Sequence, residues 1–209
     1  MPTRIVLVRH GQTEWNRIER FRGRADIDLN DVGMQQAEAT AARLANLNIS
    51  AIYSSPMKRA LRTAQAAADL TGLQVRELPG VLDADYGRWQ GLTLEEAEKR
   101  DPVVFANWRL RPHTVRFPDG ESMEAVRQRA AQSVEALKPL HIDQTFAVVS
   151  HIAVCRMLVL HFLDVDTSHF WNVGQDNCAV SVFEIRDGMA VAHAINDTCH
   201  LRKPVSLVA

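Results

Sequence analysis

Short apolar runs occur at residues 5–8, 49–53 and 146–149, and each has the length of one strand. The β-branched run at 5–8 shows no polar alternation, which predicts a strand covered on both faces in the middle of a sheet. Apolar runs at 179–185 and 189–194 flank the sequence Arg-Asp-Gly. This arrangement predicts a β-hairpin near the carboxyl end of the chain.

Apolar and small residues recur at helical spacing between these runs. Asn30 is suited to cap one helix, and Pro56 is suited to the first turn of the helix that follows the second strand. Ser122 is expected to cap a helix that ends near Lys138, and a further helix is expected at about 154–163. The alternation predicts an α/β fold with a mainly parallel sheet, helices on both faces and an antiparallel hairpin at the end.

Residues 80–120 differ from the rest of the chain because frequent Gly and Pro residues interrupt short helical pieces such as 93–100. This pattern predicts a lid-like insertion. The chain has 209 residues, which is at the upper end of one ordinary domain, and it contains no internal repeat or low-complexity linker. We therefore predict a single domain over 1–209 with the insertion at about 80–120.

Composition and charge narrow the possible functions. The formal net charge is −1, so the overall balance gives no reason to expect a nucleic-acid or membrane partner. The amino terminus lacks the features of a signal peptide, and no uncharged apolar run reaches the roughly 18 residues of a spanning helix, so a cytoplasmic location is expected. The three cysteines form no C-x-x-C pair, the histidines lack metal-binding spacing, and no nucleotide-binding glycine motif is present. Neither a metal nor a cofactor is expected.

Two histidines follow predicted strands, at Arg9-His10 and at Ser150-His151. Ligands of parallel α/β sheets bind beyond the carboxyl ends of the strands, so both histidines fall where a site is expected. Arg59 lies in the first turn of a predicted helix, and Asp83 lies in a glycine-rich loop. Together these residue types form a complete set for phosphoryl transfer.

Each member of this set has a candidate role. A neutral imidazole at His10 can attack phosphorus without a partner base or a metal ion. Arg9 and Arg59 can bind the charged phosphoryl oxygens through planar guanidinium groups. An alkoxide leaves poorly, so an acid must protonate the ester oxygen, and Asp83 is the candidate for this proton transfer. The alternative is that Asp83 only organises its loop.

Four segments in order resemble the histidine phosphatase superfamily, which also contains the cofactor-dependent phosphoglycerate mutases. They are residues 7–16 (LVRHGQTEWN), 53–60 (YSSPMKRA), 120–122 (GES) and 148–151 (VVSH). The resemblance implies a three-layer α/β/α sandwich of the phosphoglycerate mutase type, with a mainly parallel sheet and an antiparallel strand near the carboxyl terminus. It also implies a phosphohistidine intermediate and a phosphate pocket made by Arg9, His10, Asn16, Arg59 and His151.

The acid loop at 83–91 (DADYGRWQG) separates the branches of this superfamily. Asp83 stands where the family usually has Glu, and Asp85 is a reserve candidate for the acid. The loop lacks the Arg-His pair of the mutases, so the resemblance favours a phosphatase. Segments 112–115, 170–171, 176–177 and 198–201 resemble the bacterial metal-independent phosphoserine phosphatases, which implies a small phosphorylated metabolite, above all phosphoserine, as substrate and a possible homodimer.

Further residues are expected around the leaving group. Tyr86, Arg22 and Ile152 replace the His, Gln and small residue that the phosphoserine-specific enzymes usually carry, and each can reshape the pocket. Arg20, Arg22 and Arg24 form a basic cluster that either contacts a substrate carboxylate or is a solvated face. Gly23 and His200 complete the predicted set of substrate-binding residues. A 2,3-bisphosphoglycerate-dependent mutase and a non-catalytic phosphate-binding regulatory module are the alternative functions.

Overall fold

The structure, a computed structural model, describes residues 2–202. Within this range a single six-stranded sheet forms the centre of the protein, in the order β3-β2-β4-β1-β5-β6. Strands β2, β3 and β4 are parallel to β1 or to one another, whereas β5 pairs antiparallel with both β1 and β6. The strand bounds are β1 Thr3–Arg9, β2 Ala51–Ser54, β3 Val75–Glu77, β4 Thr145–Ser150, β5 Val180–Arg186 and β6 Met189–Asp197.

Helices cover both faces of this sheet. Their bounds are α1 Glu14–Arg17, α2 Asp31–Ala45, α3 Lys58–Thr71, α4 Leu94–Arg100, α5 Pro102–Leu110, α6 Met123–Glu135 and α7 Ile152–Phe162. Across residues 2–202, none of the helices has both the length and the apolar character needed to cross a membrane.

The position of β1 between two layers of helices explains why its sequence is apolar without alternation. Ile5 and Leu7 lie in a core cluster that includes residues of α6 and α7, whereas Val6 and Val8 lie in a second cluster with residues of α2 and α3. All four side chains are fully buried. The predicted α/β/α sandwich with a central β1 is therefore confirmed.

The segment between β3 and α6 contains α4, α5 and short 3₁₀ turns at Pro79–Val81, Gly87–Trp89 and Pro112–Thr114. Trp89 is fully buried, and its indole N–H donates to Asp101 over 2.7 Å. Gly87 adopts φ +51°, and a Cβ there would lie 2.0 Å from the Pro118 carbonyl oxygen, so this turn requires glycine. Three buried aromatic residues of the predicted insertion, Trp89, Phe105 and Trp108, belong to the same core cluster as Ile5 and Leu7 of β1. Its action as a lid and the single domain over 1–209 stay predictions.

Several element boundaries differ from the predicted ones. Pro56 precedes α3 instead of lying in its first turn, because Met57 is extended (φ −72°, ψ 137°) and the helix starts at Lys58. Helix α6 ends at Glu135, and a 3₁₀ turn at Lys138–Leu140 carries the proline. Helix α7 begins at Ile152, directly after His151, which is earlier than predicted.

Candidate active site

His10 follows β1 and is fully buried. Its Nδ1 lies 2.7 Å from the Gly11 carbonyl oxygen. A carbonyl only accepts hydrogen bonds, so Nδ1 carries the proton and Nε2 keeps a free lone pair. Nε2 has no hydrogen-bond partner among the described residues. Burial, and then the charges of Arg59 and Arg9, hold the pKa of His10 well below its ordinary value, so the ring is neutral at pH 7.

His151 follows β4, the strand beside β1, and its ring centroid lies 5.2 Å from that of His10. Arg59 Nε donates to His151 Nδ1 over 3.2 Å, so the proton of this ring is on Nε2, which lies 2.8 Å from Ser55 Oγ. Burial and the charge of Arg59 also lower the pKa of His151 well below its ordinary value. The two histidines are therefore neutral and carry opposite tautomers.

Arg59, the second residue of α3, is fully buried among acceptors. Its Nη1 donates to the Ala25 carbonyl over 2.7 Å, and its Nη2 donates to the Gly23 carbonyl over 2.8 Å and to Asp83 Oδ2 over 3.2 Å. Burial lowers the pKa of Arg59, and the Asp83 carboxylate acts in the opposite direction. These contacts fix the guanidinium between the two histidines and the acid loop.

Arg9 is the last residue of β1 and supplies a second cation beside His10. Its Nη1 donates to the Gln175 carbonyl over 2.5 Å, while its buried Nε has no partner among the described residues. Burial, with a smaller effect of Arg22, lowers the pKa of Arg9 to about 9. The side chain is therefore still a cation at neutral pH, with a donor available for an anion.

Asp83 is almost completely buried and pairs with Arg59. One carboxylate oxygen accepts from Arg59 and lies 3.8 Å from His151 Nδ1, and the other accepts from the Ala84 amide over 2.9 Å. Asp85, the reserve candidate, instead accepts from the Gly87 amide within its own turn. The structure thus brings Asp83, and not Asp85, to the pair of histidines.

The loop that carries Asp83 is held by Arg129 of α6, a residue that the sequence motifs did not reveal. Arg129 donates to the carbonyl oxygens of Gly80, Leu82 and Asp83 at 2.7–3.0 Å and to both carboxylate oxygens of Glu121. Glu121 in turn accepts from the Asp85 amide over 2.9 Å. This Arg129–Glu121 clamp ties the acid loop to α6.

A cavity of about 400 Å³ opens beside these residues, and Arg9 lies in its wall. Four other predicted substrate-binding residues also line it, namely Asn16, Arg22, Tyr86 and Ile152. The Asn16 amide oxygen accepts from the Thr13 amide and hydroxyl at 3.0 and 2.8 Å, which leaves the Asn16 NH₂ group for a ligand. The sequence therefore located five of the sixteen residues of this wall.

Six other predicted site residues do not line the cavity: the buried His10, Arg59, Asp83 and His151, and also Gly23 and His200. Gly23 (φ +48°) lies behind Tyr86, and its contribution is the carbonyl that holds Arg59. The His200 ring lies 3.1 Å from the Thr40 hydroxyl on α2, outside the set of cavity-lining residues. The structure therefore does not bring His200 to the pocket.

The cavity wall also contains residues that the sequence analysis missed. Arg156 lies in α7, five residues after His151, and aromatic rings from Phe21, Trp108, Phe170 and Trp171 surround the same space. Arg156 is the single Arg, Lys, Asp or Glu within the otherwise apolar α7. A charge in such a helix, so close to a strand-end histidine, was the available signal.

The arrangement unites an unprotonated, buried imidazole nitrogen with two neighbouring guanidinium groups and a buried carboxyl group. Such a combination offers a nucleophile, charge stabilisation for phosphoryl oxygens and a proton donor within one site. In the described residues no group of three or more His, Cys, Asp or Glu side chains is arranged to hold a metal ion.

Comparison with known proteins agrees with this chemistry. The sequence profile of the histidine phosphatase superfamily (branch 1) matches residues 5–198. Phosphoserine phosphatase 1 of Hydrogenobacter thermophilus is 37% identical over 95% of this chain and 94% of its own length. The metal-independent phosphoserine phosphatase of Arabidopsis thaliana is 32% identical over 95% of this chain and 83% of its own.

A solved structure with a similar fold is the phosphoserine phosphatase of Entamoeba histolytica in complex with 3-phosphoglyceric acid. It superposes with a TM-score of 0.86 at 30% identity, covering 96% of this chain and all of its own. The motifs, the fold and these matches agree with one another. The chain is therefore a phosphatase that belongs to the histidine phosphatase superfamily.

Proposed function

We propose that the protein hydrolyses a small phosphate monoester, with phosphoserine as the leading substrate, through a phosphohistidine on His10. The observation that carries this proposal is the Nε2 atom of His10, which is unprotonated, buried and flanked by Arg9 and Arg59. A nitrogen with a free lone pair in a cationic surrounding is suited to attack a dianionic phosphoryl group.

In the first step, a bond forms between His10 Nε2 and phosphorus while the bond from phosphorus to the ester oxygen breaks. The leaving oxygen takes a proton from the Asp83 carboxyl group and departs as an alcohol. In the second step, water attacks the phosphorus, its proton returns to Asp83, and the bond from phosphorus to Nε2 breaks. Inorganic phosphate leaves, and both residues regain their starting protonation states.

Arg59 links phosphate binding to the acid. Its Nη2 is shared between Asp83 and a carbonyl oxygen before substrate binds. An incoming phosphate dianion competes with Asp83 for this guanidinium, because both are oxyanions that bind it through charge-assisted hydrogen bonds. Substrate binding therefore favours the protonated carboxyl group that the first step needs.

The relatives support the choice of phosphoserine. Two of them are named phosphoserine phosphatases, and one solved neighbour is a phosphoserine phosphatase mutant in complex with phosphoserine. The identities of 37% and 32% extend over 95% of this chain. A metal ion has no role in either step of the proposed reaction.

The test is phosphate release in the presence of EDTA from phosphoserine, phosphothreonine, 3-phosphoglycerate, a sugar phosphate and an aryl phosphate. Wild type, His10→Ala and the exposed control His113→Ala are compared. We expect a preference for phosphoserine that persists in EDTA and in the control but is lost in His10→Ala. Equal turnover by His10→Ala contradicts the mechanism. Isomer exchange of phosphoglycerate without phosphate release identifies a mutase, and binding without turnover identifies a regulatory module.

A further inference from the structure

Four arginines of the cavity wall, Arg20, Arg22, Arg109 and Arg156, have no role in the steps above. Arg22 and Arg156 both line the cavity, and the Nε atom of each is buried without a hydrogen-bond partner among the described residues. A buried polar donor without a partner costs free energy, and more so when the group is charged. Such donors indicate a place where a ligand supplies the missing acceptor.

Arg156 is held in a fixed orientation by aromatic rings. Its guanidinium carbon lies 5.0 Å from the ring centroid of Phe170 and 4.9 Å from that of Trp171. These contacts hold the plane of the group, while its edge keeps the N–H donors that form paired hydrogen bonds with a carboxylate. Burial lowers the pKa of Arg156, because the charged form is poorly solvated there.

The protein itself provides little compensation for this charge. Asp176, the one carboxylate that affects the pKa of Arg156, is exposed and accepts from the side chain of Asn196 over 3.0 Å. Glu19 lies in the cavity wall but is also exposed. Arg22 is fixed differently, since its Nη1 donates to the carbonyl oxygens of Trp15 and Arg20. Its Nε is left for a ligand.

The position of these arginines indicates which part of a substrate they meet. Arg9 and Arg59 lie beside His10 and account for the transferred phosphoryl group. Arg156 is the fifth residue of α7, which starts directly after His151, and it lines the same cavity as Arg9, the residue that precedes His10 in the chain. A ligand whose phosphate contacts His10 therefore extends its alcohol part toward Arg156.

We propose that Arg156, assisted by Arg22, forms a second anion subsite that binds a carboxylate on the leaving alcohol. This inference rests on the proposed phosphatase function and defines its substrate class as phosphate monoesters of carboxylated alcohols. The planar edge of Arg156 matches a planar carboxylate, and the aromatic walls limit the water that competes for it. Esters of the same size without a carboxylate leave both arginines unpaired and bind weakly.

The test compares phosphoserine with phosphoethanolamine, which has the same phosphate and amine but no carboxylate. Steady-state rates are measured for wild type, Arg156→Gln, Arg22→Gln and the control Arg62→Gln. Arg62 is an exposed arginine of α3 that pairs with Asp28 outside the cavity. Circular dichroism and the melting temperature of each variant verify that it folds.

Wild type is expected to prefer phosphoserine in kcat/KM. Arg156→Gln is expected to lower kcat/KM for phosphoserine by roughly 10–100-fold, mainly through KM, as for the loss of hydrogen bonds to a charged group. The same variant should change kcat/KM for phosphoethanolamine by less than about threefold, because that substrate makes no such bond. Arg22→Gln should act in the same direction with a smaller effect, and Arg62→Gln should equal wild type. Equal losses for both substrates overturn the subsite.

A binding measurement separates failure of the subsite from failure of the phosphatase mechanism. Calorimetry on His10→Ala records the affinity for phosphoserine and phosphoethanolamine without turnover. Tighter binding of phosphoserine that disappears in the double variant His10→Ala/Arg156→Gln supports the subsite even if the wild type releases no phosphate. Equal affinity for the two ligands contradicts it.

Discussion

Arg59 Nη2 donates to Asp83 Oδ2 over 3.2 Å, and neither side chain has more than 1% of its surface exposed. The arginine that we propose to bind the phosphoryl oxygens is thus paired with the proposed acid. A buried pair of this kind responds strongly to a third charge, because little solvent screens it. We expect the charge of a bound phosphate to act on the Asp83 carboxyl group through this contact.

Asp83→Asn should reduce turnover most for substrates with a poor leaving group. General acid catalysis typically contributes about 10²–10⁴-fold, so kcat for an alkyl ester such as phosphoserine is expected to fall by about 100-fold or more. An aryl phosphate leaves without full protonation and should lose less than about tenfold. The measurement is kcat for both esters. Asp85→Asn is the control, and equal losses for both esters in Asp83→Asn would remove Asp83 from the acid role.

The two buried histidines should make stability fall at acid pH. Their folded-state pKa values lie well below the ordinary value near 6.5, so below pH 6.5 the unfolded chain binds more protons than the folded protein. The contribution of the two neutral histidines to the free energy of unfolding is fully present above pH 6.5 and is lost as the pH falls. When the pH of a urea unfolding experiment is lowered from 7 to 5.5, the free energy of unfolding of His10→Gln should fall by about 1 kcal/mol less than that of wild type. His113→Gln, at an exposed position, should behave like wild type; a His10→Gln curve parallel to wild type contradicts the prediction.

Loss of the Arg129–Glu121 clamp should impair proton transfer rather than phosphate binding. Arg129→Met removes the donors to three carbonyl oxygens of the acid loop while it keeps the aliphatic volume. A displacement of about 1 Å at a reacting group can cost roughly 100-fold in rate, so kcat for phosphoserine should fall by about 10–100-fold. The value of kcat for the aryl phosphate should fall less. Arg127→Met on the same helix is the control, and a change confined to KM would argue against a positioning role.

Gly23→Ala should lower both stability and activity. Gly23 has φ +48°, and a Cβ there would lie 3.0 Å from Tyr86 Cδ2 and 3.1 Å from the Ala84 carbonyl oxygen. The left-handed conformation costs alanine about 1–2 kcal/mol. The close contacts of the new Cβ would also displace residue 23, whose carbonyl oxygen accepts from Arg59. Gly72→Ala is a matched control, since Gly72 has φ +73° but nothing within 4 Å of the new Cβ. Equal loss of stability with unchanged kcat in both variants would contradict the account.

Much of this protein could be predicted from its sequence. The apolar run at 5–8 identified the central strand because Ile5 and Leu7 face one layer and Val6 and Val8 face the other. His10 and His151 could be placed together because both follow parallel strands, whose carboxyl ends lie at one edge of the sheet. The motifs identified Arg9, Arg59 and the acid loop.

Other features depend on contacts that no local pattern records. Strand β3 has three residues, all at least partly exposed, so it lacks an apolar signature. The proton on the His10 ring is placed by the carbonyl of the next residue, Gly11. The proton on the His151 ring is placed by Arg59, which is a tertiary contact. Arg156 lines the cavity, and its helix α7 starts at Ile152, two residues earlier than the helical pattern suggested.

The most direct test of the account is to trap the phosphoenzyme. Wild type is mixed with phosphoserine labelled in its phosphoryl group, denatured within milliseconds in alkali, and digested for mass spectrometry. The account predicts a phosphoryl group on His10 that survives alkali and is lost in acid, and its absence from His10→Ala. A labelled residue other than His10, or turnover that His10→Ala retains, would contradict the central claim.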